Sequence, residues 1–224
     1  ASRTAKTLDF MGPAYAIDAA CASSLASLEA ACELLRSGEV DTVIYGGGDR
    51  AMRVQRYEAY CQFYAISKGS DPHPFDAAAD GFLPGEGAAG CVLRRLEDAR
   101  RDCRRSHAII RGIGSSGDGE RKSLHKPSAE GLAVAMKRAL EQSRIDPRSI
   151  GFIECHGGGT EVGDATEIAA IRKMFDLDTR KVPLAIGTVK SSVGHTQGAA
   201  GAVSIVKTAL ALERDELPPT RGFE

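Results

Sequence analysis

Apolar residues at 25, 28, 32 and 35 return every three or four positions through SSLASLEAACELLRSG, the spacing of one helical face. Gly38 stands where that helix would need a left-handed end. Ahead of it, Tyr15 and Ile17 alternate with small residues in AYAID, which predicts a short strand leading into Cys21. DTVIYGGG reads as a second strand running into glycines, and residues 51–66 as helical or irregular. Residues 67–90 form a long Gly/Pro/Asp-rich loop, of a length that marks function or an interface. GCVLRRLEDA and HAIIRGIG read as strands bracketing a charged turn. Pro127 and Ser128 then open a helix with Leu132, Met136, Ala139 and Leu140 on one stripe. IGFIEC is a strand ending on His156, PLAIGTVK is another ending just before SSVGHT, and an Ala/Gly-rich helix follows from about 198 to 213. Strands alternating with helices predict α/β architecture with largely parallel, buried sheets.

The 224 residues are 42% hydrophobic and carry 29 basic against 30 acidic side chains, a balance that suggests neither nucleic acid nor membrane as a partner. The run RRDCRR at 100–105 follows Glu97 and Asp98 and has no interleaved aromatics, so it reads as a solvated helix end or loop. No apolar stretch approaches the ~20 residues of a membrane span, and the N-terminus lacks a signal-peptide layout. A cytoplasmic chain is expected.

Cysteines at 21, 32, 61, 91, 103 and 155 show no C-x-x-C pair and no zinc-type spacing with histidine, so reduced thiols are expected. Cys32, Cys61, Cys91 and Cys103 read as small core residues. Cys21 has two readings. It is a buried filler at a helix start, or a thiol presented at a tight strand-to-helix turn, where the helix dipole and free N–H groups would lower its pKa.

His156 and His195 each lie at the C-terminal end of an expected strand, with glycines beside them in ECHGGGT and SSVGHTQGAAG. Active-site residues of α/β proteins gather at such ends, although a single histidine there is more often a hydrogen-bonded core residue. His73, His107 and His125 read as structural or surface residues. Gly112, Gly114 and Gly117 match G-x-G-x-x-G, but DGERKSLHKP follows where a dinucleotide site needs a helix. Asp164 and Glu167 could pair as acids, but in the first turns of a helix such residues more often favour its dipole.

Four blocks, DAACASSL, HPFDAAADGFLPGEGAAGCVL, ECHGGGTEVGD and GTVKSSVGHTQGAAGA, resemble in order those of β-ketoacyl synthase (ketosynthase) domains of iterative polyketide and fatty-acid-type synthases. GIGSSGDG with the basic segment after it looks most like the enediyne and polyunsaturated-fatty-acid branch.

The resemblance implies a thiolase-like α/β fold of layered sheets and helices, usually a homodimer. Cys21 would accept an acyl chain from the phosphopantetheine of an acyl carrier protein, and the domain itself would bind no cofactor. His156 and His195 would hydrogen-bond the thioester carbonyl of a malonyl extender and stabilise the enolate left by decarboxylation. Lys190 would support the histidines electrostatically, and Thr160 would touch the pantetheine arm. A thioester suits a soft nucleophile, and a developing oxyanion suits neutral donors, each worth about 2.7 to 4 kcal/mol.

Two positions depart from the family pattern. Gly158 stands where threonine is usual, removing a pantetheine contact, and Ser192 replaces an asparagine ahead of Val193, Gly194 and His195. The chain also resembles only the central portion of one such domain, without its N-terminal strands and C-terminal glycine-rich segment. The rival reading is a non-catalytic partner, either a chain-length-factor type of subunit or an inert fragment. Cys21 weighs against the first, which lacks the nucleophile.

Overall fold

The structure is a computed structural model that describes residues 1–50, 53–120 and 126–223. Among them, helix α1 spans Ser2–Thr7, α2 Ser23–Ser37, strand β1 Thr42–Asp49, α3 Val54–Gln62, β2 Gly87–Arg94, α4 Leu96–Arg101 and α5 Ala129–Ser143. Strand β3 (Phe152–Glu154), α6 (Glu161–Met174), β4 (Ala185–Gly187), the one-turn α7 (Lys190–Val193) and α8 (Ala200–Arg214) follow.

The first half is built on β1 and β2, which pair antiparallel from Thr42 opposite Arg94 to Asp49 opposite Gly87. The expectation of largely parallel sheets therefore holds only for β3 and β4. Alternation along β1 and β2 sends Tyr45, Cys91 and Leu93 to one face, where Leu28 and Cys32 of α2 and Ala202 of α8 complete a core. Small residues bring α2 and α8 together: a side chain at Gly201 would collide with Leu25, and the Ala202 N–H instead donates 3.0 Å to the buried Ser24 hydroxyl. Leu28, Cys32 and Leu35 are buried as the periodicity predicts, whereas Leu25 is half exposed at the edge of that stripe. Gly38 ends α2 at φ 77°, the left-handed terminus expected of it.

The second half packs α5 and α6 against the parallel pair. Cys155, Ile171 and Phe175 form its centre, with Met136 and Leu140 of the α5 stripe beside them. Ser128 caps α5, its hydroxyl accepting the Gly131 N–H at 3.0 Å.

Two expected strands are not strands. Residues 14–18 face β1 across a cavity of about 1090 Å³, lined along both sides by residues of the two segments, so no ladder joins them. HAIIRGIG runs instead along α5. Its Ile113 N–H donates to the Gln142 side chain, and Gly112 and Gly114 sit so close to that helix that a Cβ would meet the carbonyls of Ala139 and Ala135. That contact explains Gly112 and Gly114, which serve close packing, whereas Gly117 faces open space. The strand expected over GCVLRRLEDA stops at Arg94, and its last residues open helix α4, which runs into the charged turn; there Arg101 pairs with Asp98 and Asp102, and Arg105 pairs with Glu213.

Candidate active site

Cys21 lies in a short 3-10 turn, Ala20–Ala22, that runs directly into α2. Ala20, just before it, adopts φ 51°, a left-handed conformation that costs a non-glycine residue about 1–2 kcal/mol. The turn is tied down locally. Ser23 donates 2.6 Å to the Ala20 carbonyl, its oxygen accepts the Ala19 N–H, and Asp18 accepts the Ala20 N–H at 3.0 Å. This is the tight presentation that the small residues around Cys21 suggest.

The expected depression of the Cys21 pKa is not what the surroundings produce. The half-buried thiol is pushed up by burial, which outweighs the Lys190 charge, its own backbone N–H and the Arg56 charge. Two of the cysteines expected in the core, Cys61 and Cys103, are exposed.

The two histidines come together as the strand-end argument predicts. Their rings meet edge to face with centroids 5.3 Å apart, and the Phe82 ring packs the same way on His195 at 5.0 Å. Each is held by its main chain, leaving the imidazole free to act. The His156 N–H donates 2.6 Å to Glu167, which also takes the Gly157 N–H at 2.9 Å. The His156 carbonyl accepts from Lys190 Nζ at 2.6 Å and from the Thr188 hydroxyl at 3.2 Å. His195 donates its N–H 2.7 Å to the Leu83 carbonyl and accepts at its own carbonyl from Gly85. The long loop at 67–90 is thus the clamp on His195. Gly194 (φ 72°) permits it, with the Leu83 and Pro84 carbonyls about 3 Å from where a Cβ would stand.

Both imidazoles are neutral at physiological pH. Burial, then the Lys190 charge, lowers His195 to about 2 and His156 to about 4, although one side of His156 opens to solvent. The His195 Nδ1 accepts the Gln197 N–H at 3.1 Å, so in the neutral ring the proton sits on Nε2, the atom left free to donate. Lys190 is buried and its pKa is lowered by that burial, against the opposing pull of Glu167.

A pH dependence of stability follows. A histidine depressed in the folded state binds protons preferentially when unfolded, so stability is fully present above pH 6.5 and falls as pH drops. For His195, 2% exposed, the slope is about 1.4 kcal/mol per pH unit below 6.5. Asp164 and Glu167, raised by burial, work the other way from their raised pKa values down to the ordinary carboxylate range, so they offset part of the histidine slope. Melting temperature is therefore expected to fall between pH 6.5 and about 5, and His195→Gln should flatten that slope. An unchanged slope would contradict the burial.

The structure brings Cys21, His156, His195 and Lys190 into one region but treats the other candidates differently. Gly158 is buried beside His156, where a Cβ would come within 3.4 Å of Nε2, so glycine leaves the space over that nitrogen open. Thr160, half-buried, stands at the start of α6 without a side-chain capping bond, and Ser192 is exposed on α7. His73 bonds the Gly222 carbonyl and His107 bonds Glu213, both structural, while His125 lies outside the described residues.

Sequence reasoning missed the roles of four supporting residues, Asp164, Glu167, Gln197 and Phe82. Asp164 lies in the first turn of α6 as expected, but both carboxylates also serve the loops packed against that helix. They are buried and accept N–H groups of neighbouring loops, Asp164 from Phe75 and Gly159. Their three-residue spacing put them on one face, which was the available signal. Gln197 and Phe82 left no signal beyond lying near the motifs. Among the described residues no metal-type cluster is present, and no helix is long and apolar enough to cross a membrane.

A half-buried thiol and a pair of neutral imidazoles share this region, and comparison with known proteins identifies the family. Residues 1–99 match the family model "Beta-ketoacyl synthase, N-terminal domain" and residues 107–224 match "Beta-ketoacyl synthase, C-terminal domain". The chain belongs to the β-ketoacyl synthase family. It is 37% identical over 224 residues to a highly reducing polyketide synthase of Neurospora crassa, covering 100% of this chain and 9% of that protein. The ketosynthase from module 6 of the bacillaene synthase of Bacillus subtilis superposes with a TM-score of 0.96 at 36% identity, over 100% of this chain and 40% of that one. The ishigamide ketosynthase/chain length factor superposes at 0.89 with 34% identity, over 98% of this chain and 53% of that one. The fold is thiolase-like, present as a partial segment, and the chain spans about a tenth of the length of its curated relatives.

Proposed function

We propose that the chain is the central portion of one ketosynthase domain and that its site performs decarboxylative condensation in polyketide or fatty-acid-type chain elongation. The observation that carries this reading is the pair of neutral, backbone-clamped imidazoles gathered with a presented thiol. In the first half-reaction the Cys21 sulfur attacks an acyl thioester delivered on a carrier-protein phosphopantetheine, and the pantetheine thiol leaves with the proton. Lys190 and Arg56 supply the positive charge that favours the attacking thiolate against the cost of burial. In the second, His195 Nε2–H and the His156 ring donate to the thioester carbonyl of malonyl-carrier protein. Carbon dioxide leaves, the bonding pair becomes an enolate, and its carbon attacks the acyl carbonyl and expels the Cys21 sulfur. Neutral donors suit an oxyanion that must later give up its charge.

Thr160 would contact the pantetheine arm, and the departures at Gly158 and Ser192 would weaken the hold on the carrier. No bound cofactor is required of the domain. A cytoplasmic homodimer serving an acyl carrier protein follows from the same reading, and GIGSSGDG supports the enediyne and polyunsaturated-fatty-acid branch. The polyketide context rests on relatives that share a small part of their length with this chain.

The test supplies an acyl thioester and malonyl-carrier protein. A β-ketoacyl carrier product with matching release of carbon dioxide supports the proposal. Carbon dioxide release with no acyl adduct and no condensation product would favour the non-catalytic reading.

A further inference from the structure

Gln197 follows His195 by two residues and is 9% exposed. It adopts φ 48°, a left-handed conformation that a glutamine holds only when its surroundings fix it. Three of its groups are engaged at the reacting centre. The main-chain N–H donates to His195 Nδ1 at 3.1 Å, the side-chain Nε2 donates to the His195 carbonyl at 3.5 Å, and Oε1 accepts the Cys21 S–H at 3.7 Å. An amide has one donor end and one acceptor end. With the donor end tethered to His195, the acceptor end is the one turned toward sulfur.

We propose that Gln197 is a positioning residue joining the two half-sites, its main chain setting the tautomer of His195 while its side-chain carbonyl holds the Cys21 thiol protonated and aimed. The idea rests on Cys21 being the nucleophile and adds to it a specific restraint. An acceptor facing sulfur favours S–H over thiolate, so the thiol stays neutral until an acyl thioester displaces the amide. The other groups that act on the sulfur are Lys190 at the start of α7, Arg56 and the neutral phenol Tyr60 on α3, and Asp49 at the end of β1, with His156 and His195 neutral. The two cations oppose the amide and the aspartate reinforces it.

The test reads the pH profile of Cys21 alkylation by iodoacetamide in the full chain, mapped by mass spectrometry. The exposed Cys61 and Cys103 serve as internal references. Gln197→Met removes the acceptor at similar length, and the midpoint should move down, with alkylation near neutral pH roughly threefold to tenfold faster. Gln197→Glu places an anion against the sulfur, so the midpoint should move up and the neutral rate fall by a similar factor. A residue that merely fills space would change the plateau in both variants without moving the midpoints in opposite directions. Gln197→Asn, which tolerates the left-handed backbone and withdraws the carbonyl by one carbon, should follow Met and decides the case if the Met variant melts without cooperativity. Midpoints that stay fixed, or move the same way in Met and Glu, overturn the proposal. No acyl substrate is present, so this failure is separate from a failure of condensation.

Discussion

Cys21→Ala is expected to abolish self-acylation and condensation while still releasing carbon dioxide from malonyl-carrier protein. His195→Ala should do the reverse, keeping acylation of Cys21 and losing decarboxylation by a factor on the order of 10² to 10³, the usual effect of deleting one oxyanion donor. The separation follows from the geometry. The thiol sits in the turn before α2, whereas the imidazoles follow β3 and lie in the α7–α8 connection, each held by its own clamp. Removing sulfur leaves both rings supported. His156→Ala should resemble His195→Ala, and the double variant should be little worse than either, because the two donors serve one oxyanion and act as a unit. Carbon dioxide release and acyl-enzyme mass are measured separately for each. A Cys21→Ala protein that stays folded but releases no carbon dioxide, or a His195→Ala protein that decarboxylates at the parent rate, would break this division of labour.

The second large effect is expected at Glu167, a residue with no role in the bond-making steps. Its two carboxylate oxygens take the N–H groups of His156 and Gly157, where Gly157 holds φ 48° with Thr188 too close for any Cβ. Glu167→Ala leaves two N–H groups without their acceptor, one of them deeply buried. Its cost in stability should be about 2–6 kcal/mol at about 1–3 kcal/mol for each lost acceptor. Glu167→Gln keeps one acceptor and turns an amide N–H₂ toward the other donor, so it should cost about 1–3 kcal/mol. Decarboxylation should fall in both, because the His156 ring is aimed by this clamp, while Cys21 acylation changes less. Chemical denaturation gives the stabilities. A Glu167→Ala midpoint equal to the parent's would mean that the carboxylate is dispensable.

Much of this site was legible before any coordinates. Cys21, His156 and His195 were marked by the same physical signal, a reactive side chain among small residues at the junction of an extended segment with a turn, and Lys190 entered through the family resemblance. Local signals were also reliable for single elements: Ser128 as a cap, Gly38 as a terminus and the α5 stripe. What failed depended on distant neighbours. AYAID has the alternation of a strand but lies across a cavity from β1, and HAIIRGIG has the apolar content of a strand but lies on a helix. Periodicity describes one segment, and a ladder needs two. The Cys21 pKa was misjudged for a related reason. The helix start was visible in the sequence, whereas the burial that outweighs it is made by residues far along the chain. The spacing of Asp164 and Glu167 put both on one face, but nothing in the sequence named the main-chain groups that Glu167 and Gln197 engage.

The central claim is that Cys21 carries the acyl chain, and its most direct test is the mass of the peptide containing that residue. The protein is incubated with an acyl-carrier thioester, digested and mapped, then treated with malonyl-carrier protein. The account predicts one acyl addition on the Cys21 peptide, formed faster as pH rises because burial holds the thiol pKa up, and discharged as a β-ketoacyl product when the malonyl carrier is added. An adduct confined to the exposed Cys61 or Cys103, or an acyl-Cys21 that malonyl-carrier protein does not discharge, would contradict it.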